Sequence, residues 1–546
     1  MSLTLITTFA ICALAAAAQH ELTRHSVVAA PPHVELFEHV EPGPATFTAP
    51  IASPAGVRWI VDDNASGWVG TTVGLAHFGS EVYSEVHSNA QAMLAYSSYD
   101  ADPPSALWSV PAPGTLNREV CAAEETSRAV VIHETPVPGG RRVDMLCHAD
   151  ASASAAWQWS FATIIQSGSR VAISSDGTRV VGAASDDAHG NVELATLDGV
   201  TGVATATRSL AVGGPLRGFD LSSDGSTLLA TAGARLFVLD AATLLTRFET
   251  PAGTFLDAAA ISGDGHVIAL GGYNWMRVYE QVGSAWTATY SRYLAGSNYV
   301  SALDVSGDGS TVAYGFTFYD QFLAVRIEAL DVSSKLLTMS ESLVGSGTYQ
   351  NMLSDVALSA DGSHFAVGVW GDAANTVDEL RVYARSNSTP LMTIDLPGSV
   401  FDVAISGDGR RVAAAGKAVH ANALGNGGRI ALVDALPADL ELFGVPHIGA
   451  SLSVEFHAPV GRECVLLTST ELARAPIAIN GVGTLHLDRD DIQAYSMGMV
   501  PSTGVAQLSL GLPSAPAFAG TTLYMQARLL GPAQLSSRWL ALTLVP

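Results

Sequence analysis

Val403-Ala-Ile-Ser-Gly-Asp-Gly-Arg-Arg-Val-Ala-Ala414 is the stretch from which the fold can be read. Val403 and Ile405 flank a small residue, the alternation of a strand with a buried face, and a second apolar run begins at Val412. Between the runs, glycine tolerates positive φ, while the Asp carboxylate and Ser hydroxyl accept hydrogen bonds from turn amides, so Ser-x-Asp-Gly reads as a β-hairpin corner. The phrase recurs six times: Ser174 to Gly177, Ser222 to Gly225, Ser262 to Gly265, Ser306 to Gly309, Ser359 to Gly362 and Ser406 to Gly409. Its aspartates, Asp176, Asp224, Asp264, Asp308, Asp361 and Asp408, are 48, 40, 44, 53 and 47 residues apart. That is the period of a four-stranded propeller blade. Turn chemistry accounts for all six aspartates; reading them as a ring of metal ligands or catalytic acids needs further assumptions.

Weaker copies lie upstream in the same register. Val120 to Val131 aligns with Val171 to Gly182, with Glu125 for the Asp and Thr126 for the Gly, and a fainter hairpin, Val73 to Val86, lies another 47 residues back. Late in their units, Ser105-Ala-Leu-Trp108, Ser154-Ala-Ala-Trp157 and Ser284-Ala-Trp286 repeat as outer strands. The count is eight blades, or seven if Val73 to Val86 is not a hairpin. The last unit lacks a fourth strand, which Val57 to Val61 is placed to supply, closing the ring and covering exposed strand edges.

The chain is predicted to be all-β: a signal peptide at 1–18, an extended Pro-rich lead-in at 19–54, a β-propeller at 55–435 and a β-sandwich at 436–546. The signal peptide rests on the apolar run Leu3 to Ala18 with Ala16 and Ala18 before Gln19; an uncleaved anchor is the alternative. No later apolar run is long enough for a spanning helix. Strand candidates in the last domain are Ser451 to Phe456, Glu463 to Thr468, Gly483 to Leu487, Val505 to Leu510, Thr522 to Leu530 and Trp539 to Val545. Basic residues number 27 against 51 acidic, a net charge of 27 − 51 = −24, which opposes binding to nucleic acid or anionic membranes.

Beyond the leader three cysteines remain. In an oxidising compartment Cys121 and Cys147 are the natural pair, yet they fall on the first and third strands of one blade, about 10 Å apart and beyond disulfide reach without a bulge. Cys464 is expected to be a buried free thiol. Asp186, Asp187 and His189 could supply oxygen and imidazole ligands, although a solvated loop explains them as well. No cofactor is predicted. Calcium is the ion that Asp62-Asp63-Asn64 and Asp488 to Asp491 would suit, though neither has EF-hand spacing. Among Trp68, Trp108, Trp157, Trp159, Trp275, Trp286 and Trp370, packing between blades is expected for most, with a sugar-stacking platform as the functional alternative.

The hairpins at 171–181, 303–313 and 403–413 resemble those of WD-repeat-like and Tol-type bacterial propellers, and Leu236 to Thr243 is similar to the third strand of surface-layer or lactonase-type propellers. The Trp-Asp dipeptide that ends a true WD repeat is not regular here. Leu508 to Pro513 and Gly520 to Ala527 resemble a small β-sandwich that ends many secreted bacterial proteins. That resemblance implies export and a role in surface display, sorting or adhesion, and carries over no catalytic residue.

No Gly-x-Ser-x-Gly, His-Glu-x-x-His, Cys-x-x-Cys or phosphate-binding loop occurs. The expectation is a non-catalytic β-propeller, secreted, extracellular or held in the cell envelope or periplasm, whose loops bind a protein or glycan. The rivals are an extracellular hydrolase, lyase or lactonase, whose site would be assembled from loops of different blades without a local motif, and a structural partner in an envelope complex.

Overall fold

The computed structural model describes residues 55–546 apart from short stretches at 64–67, 89–91, 151, 166–167, 254–255, 322, 397, 424–426 and 531–532. The signal-peptide and lead-in expectations lie outside the described residues. The fold is all-β, its helical segments among the described residues being two 3-10 turns, Arg489–Asp491 and Pro516–Phe518. Two compact units emerge: Gly56–Ser98 with Asp102–Ala435, and Leu436–Pro546 with Tyr99–Ala101.

The larger unit holds eight four-stranded antiparallel sheets. Sheets I to VII run in chain order through 68–111, 116–160, 170–211, 216–251, 256–293, 298–344 and 353–394. Sheet VIII is built from Ser399–Ile405, Arg411–Lys417 and Gly428–Asp434, with Gly56–Asp63 as its outer strand. The register Gly56↔Asp434 to Asp63↔Gly428 joins the beginning of the described chain to the last repeat. Arg58 bonds Asp434 at 3.1 Å and Arg429 bonds Asp62 at 2.5 Å across this seam. The stretch Val73 to Val86 does form a hairpin, Trp68–Ala76 with Glu81–Ser88, turning through Phe78 and Gly79 at positive φ.

Burial follows strand position. Thr227–Ala232 and Val267–Gly272, second strands of sheets IV and V, are buried at every residue, because neighbouring sheets cover both faces. Ala204–Ala211, an outer strand, alternates between exposed and half-buried along most of its length. This explains why second strands are dominated by apolar and small residues while outer strands carry Thr, Arg and Ser. First strands of consecutive sheets lie side by side, and that of sheet VIII lies beside that of sheet I. A separate apolar core fills each of the eight gaps between consecutive sheets. The core between VIII and I is built on the fully buried Trp59, whose ring lies 5.4 Å from that of Tyr96.

In the smaller unit, Leu440–Phe443, Ser451–His457 and Val505–Gly511 form one sheet, and Gln493–Met499, Glu463–Ser469, Thr522–Leu529 and Gln534–Thr543 another. Both contribute to a single core, with Leu442, Val454 and Phe456 from the first and Leu466, Met525 and Leu542 from the second. Leu472–Ile479 and Gly483–Leu487 make a separate hairpin.

Candidate functional site

Each Ser-x-Asp-Gly corner is an internally bonded turn. In the Ser306 copy the hydroxyl donates to Asp308 Oδ1 at 2.7 Å, that oxygen accepts the Ser310 N–H at 2.9 Å, and Ser306 Oγ accepts the Thr311 N–H at 3.0 Å. The other five copies repeat the same three bonds. All six glycines have positive φ. The aspartates are therefore occupied by their own turns. The x residues carry information that the motif alone hides, because successive turns hydrogen-bond to one another through them: Ser175 N–H to Ser223 O, Asp264 N–H to Gly307 O, and Ala360 N–H to Gly407 O. A Cβ on Gly263 would lie 2.6 Å from Ser223 Oγ and 2.9 Å from Gly307 Cα, so x is small wherever the turns crowd. Sheet II has Glu124 at this position. Its carboxylate accepts the Gly407 N–H at 2.9 Å, and burial pushes its pKa up to about 8.

The first strands form the inner edge of each sheet, where backbone N–H groups have no neighbouring strand to pair with. Five carboxylates cap such groups on a neighbouring sheet. Glu119 accepts from Val171 N (2.9 Å), Asp220 from Ile261 N (2.8 Å) and Asp304 from Leu358 N (2.7 Å). Asp355 accepts from Val403 N (3.0 Å) and Asp402 from Val73 N (2.6 Å). Asp220 and Asp304 stand two residues before the Ser of their repeat, whereas Asp355 and Asp402 stand four before. Water reaches part of each side chain, but protein surrounds all five. Desolvation raises every one of them, Asp220 to about 7 and Asp304 to about 8. Asp355 and Asp402 hydrogen-bond each other and are both raised, by burial and, for Asp402, by its partner's charge as well, so the pair holds a proton that isolated carboxylates would release. Arg170 partly offsets the burial of Glu119.

The sequence-derived ligand candidates do not converge. His189 Nδ1 lies 2.5 Å from Asp186 Oδ2 in an exposed pair, with Asp187 exposed beside it. Asp62 is paired with Arg429, and Asn64 lies outside the described residues. Asp488 caps the following turn through Asp490 N, and Asp491 accepts from the Thr470 N–H and hydroxyl. Among the described residues, no three His, Cys, Asp or Glu side chains are grouped to hold a metal ion. The natural cysteine pairing fails as well. Cys121, Cys147 and Cys464 are free thiols, and Val130 stands between Cys121 and Cys147 in the register of sheet II. Burial pushes the Cys147 thiol up to about 12 and Cys464 to about 11.

At the end of the sheets opposite the Ser-x-Asp-Gly corners, aromatic rings collect on the connections. Tyr349, before the first strand of sheet VII, stacks on His420 of the second-to-third connection of sheet VIII, with centroids 4.7 Å apart. Trp370 stands edge-on to His420 and to Phe401, each at 6.4 Å. Ser399 ties these loops together, donating to Trp370 O and accepting the Ala421 N–H. Asp372 fixes the adjoining loop: partial burial opposes its charge, yet donors from Thr376 and Ser346 hold its pKa down to about 2. Sheets V and VI bring Tyr273, Trp275, Tyr293, Tyr299 and Tyr319 to the same end. Trp108, Trp157 and Trp286 are buried packing residues, whereas Trp275 and Trp370 are half-exposed. The tyrosines went unnoticed in the sequence because they fall outside the repeat; their shared end becomes visible only once strand directions are assigned.

No known family model matches the chain, and no curated protein does. No helix among the described residues is long and apolar enough to cross a membrane.

Proposed function

We propose that residues 55–435 form a closed eight-bladed β-propeller and that the protein is a secreted or envelope-held, non-catalytic binding protein. In this reading its ligand, a protein or glycan, is taken at the end bearing the second-to-third and blade-to-blade connections, and residues 436–546 are a β-sandwich accessory module. Closure is supported by the adjacency of the first strands from I to VIII and back to I, and by the pairing of Gly56–Asp63 with Gly428–Asp434. The observation that carries the functional reading is the gathering of exposed and half-exposed aromatic rings at one end, on loops braced by Asp372, Ser399 and Asn298.

The rival, an extracellular hydrolase, lyase or lactonase, draws on the five inner-edge carboxylates. Each of them is engaged in holding a neighbouring strand, which supports the structural role. The purified chain, assayed against ester, lactone and polysaccharide substrates, is expected to show no turnover. Turnover abolished by Asp402→Asn in a protein that remains folded would overturn the non-catalytic reading. Export is tested by sequencing the amino terminus of the protein recovered from medium and envelope fractions, with a start near Gln19 expected.

A further inference from the structure

We propose that Tyr273, Tyr293 and Tyr319 form a platform that binds a neutral polysaccharide; this rests on the reading that the loop end of the larger unit is its ligand-binding end. Tyr273 is 43% exposed, Tyr293 67% and Tyr319 53%. None of the three belongs to the apolar cores on either side of sheet V or sheet VI. Their positions are linked through the backbone. Tyr293 stands opposite Trp275 in the sheet V register, Tyr273 bridges to Tyr299, and the Tyr319 N–H bonds Ser297 O at 2.8 Å. Rings on facing strands are about 5 Å apart at their Cβ atoms, the scale of one sugar ring.

The support beneath them is rigid. Asn274 takes the left-handed conformation, φ 66°, and its N–H bonds Asn298 O while its side-chain oxygen accepts the Asn298 N–H. The fully buried Asn298 amide donates to the carbonyls of Leu294, Ala295 and Gly296. Arg277 lies over the Trp275 ring, 5.3 Å from its centroid, and that ring packs against the core between sheets IV and V, so Trp275 anchors the strand while the tyrosines offer the stacking faces.

Chemistry selects the occupant. The electron-rich faces of Tyr and Trp attract the weakly positive C–H face of a pyranose, and phenol hydroxyls bond to sugar hydroxyls. The exposed groups here are aromatic rings set beside polar Ser297 and Asp320, a mixture that can both stack on a sugar ring and hydrogen-bond its hydroxyls. A chain of net charge −24 repels anionic glycans, whereas a neutral one meets no such penalty and is held by stacking and hydrogen bonds alone.

The test is native affinity electrophoresis of the whole protein in gels containing mixed-linkage β-glucan, glucomannan, xyloglucan or xylan, comparing wild type with Tyr293→Ala, Tyr319→Ala and Trp370→Ala. Exposed Tyr293 and Tyr319 can be truncated without opening a core, and circular dichroism checks the fold. The expected result is retardation of the wild type by at least one of these polysaccharides, weakened tenfold or more by Tyr293→Ala or Tyr319→Ala and by more than any loss in Trp370→Ala. Retardation lost only in Trp370→Ala overturns the platform while leaving the loop end as the binding face. Retardation unaffected by all three overturns both readings. A wild type that none of the four polysaccharides retards overturns the glycan assignment.

Discussion

Replacing Asp304 by Asn should flatten the pH dependence of stability between pH 5 and pH 7. Asp304 has its folded pKa raised by burial from 3.8 to about 8, with the charge of Asp220 adding to the shift. A raised carboxyl binds its proton in the folded chain while the unfolded chain has released it. The stability it contributes is therefore complete below pH 4 and is lost as pH climbs toward 8. Across that window one such group makes unfolding easier by about 1.4 kcal/mol per pH unit. Two pH units amount to about 2.7 kcal/mol of wild-type stability that the Asn variant does not lose. The substitution also weakens the capping of the Leu358 or Val305 amide, since one oxygen must replace two, at a cost of about 1 kcal/mol that is the same at every pH. His77, buried and lowered to about 4, titrates with the opposite sign but identically in both proteins, so it cancels. Urea unfolding at pH 5, 6 and 7 followed by tryptophan fluorescence reports mainly on the larger unit, which holds every tryptophan but Trp539. Parallel wild-type and variant stability curves across those three pH values would refute the assignment of a retained proton to Asp304.

Three further outcomes are expected. Trp59→Ala empties the core between sheets VIII and I and should cost about 3–5 kcal/mol; a loss below 1 kcal/mol in equilibrium unfolding would mean that this seam is not packed as described. Gly263→Val forces a side chain against Ser223 and the Gly307 backbone and should lower stability by about 1–3 kcal/mol, read as a drop in thermal midpoint, with an unchanged midpoint counting against the interlocked turns. Alkylation of the unreduced, denatured protein should label Cys121, Cys147 and Cys464, and a mass spectrum showing Cys121 linked to Cys147 would contradict the free thiols.

Much of the sheet architecture was legible because turn chemistry is local: Ser306 and Asp308 satisfy each other and their own turn whatever surrounds them. The weak hairpin around Phe78 was legible only by register, since His77 and Phe78 reach positive φ without the usual residue types before Gly79. In the smaller unit, Leu472–Ile479 was missed because Pro476 disqualifies it as a paired inner strand, and the structure places it opposite one neighbour only. Gln493–Met499 was missed although Tyr495, Met497 and Met499 alternate with Ala494, Ser496 and Gly498, because the segment carries no β-branched residue. The inner carboxylates were half-legible. All five sit inside the first strands of their sheets, Asp220 and Asp304 two residues and Asp355 and Asp402 four residues before the corner serine, and nothing in a linear spacing says that all five reach across to a neighbouring sheet.

The pairing of Gly56–Asp63 with Gly428–Asp434 sets the order in which the chain can finish folding. Arg58 meets Asp434 at a sequence separation of 376, so the earliest described strand must wait, unpaired, until almost the whole larger unit has emerged. Closure of so long a loop is slow, and until it happens Gly428–Asp434 presents an open edge to any other strand in the vicinity. Synthesis that stops just short of residue 428 leaves the Trp59 core without Ile430 and Leu432, and the result is a chain with seven finished sheets, a lone hairpin of the eighth and an unpaired Gly56–Asp63, a natural substrate for chaperones or proteases.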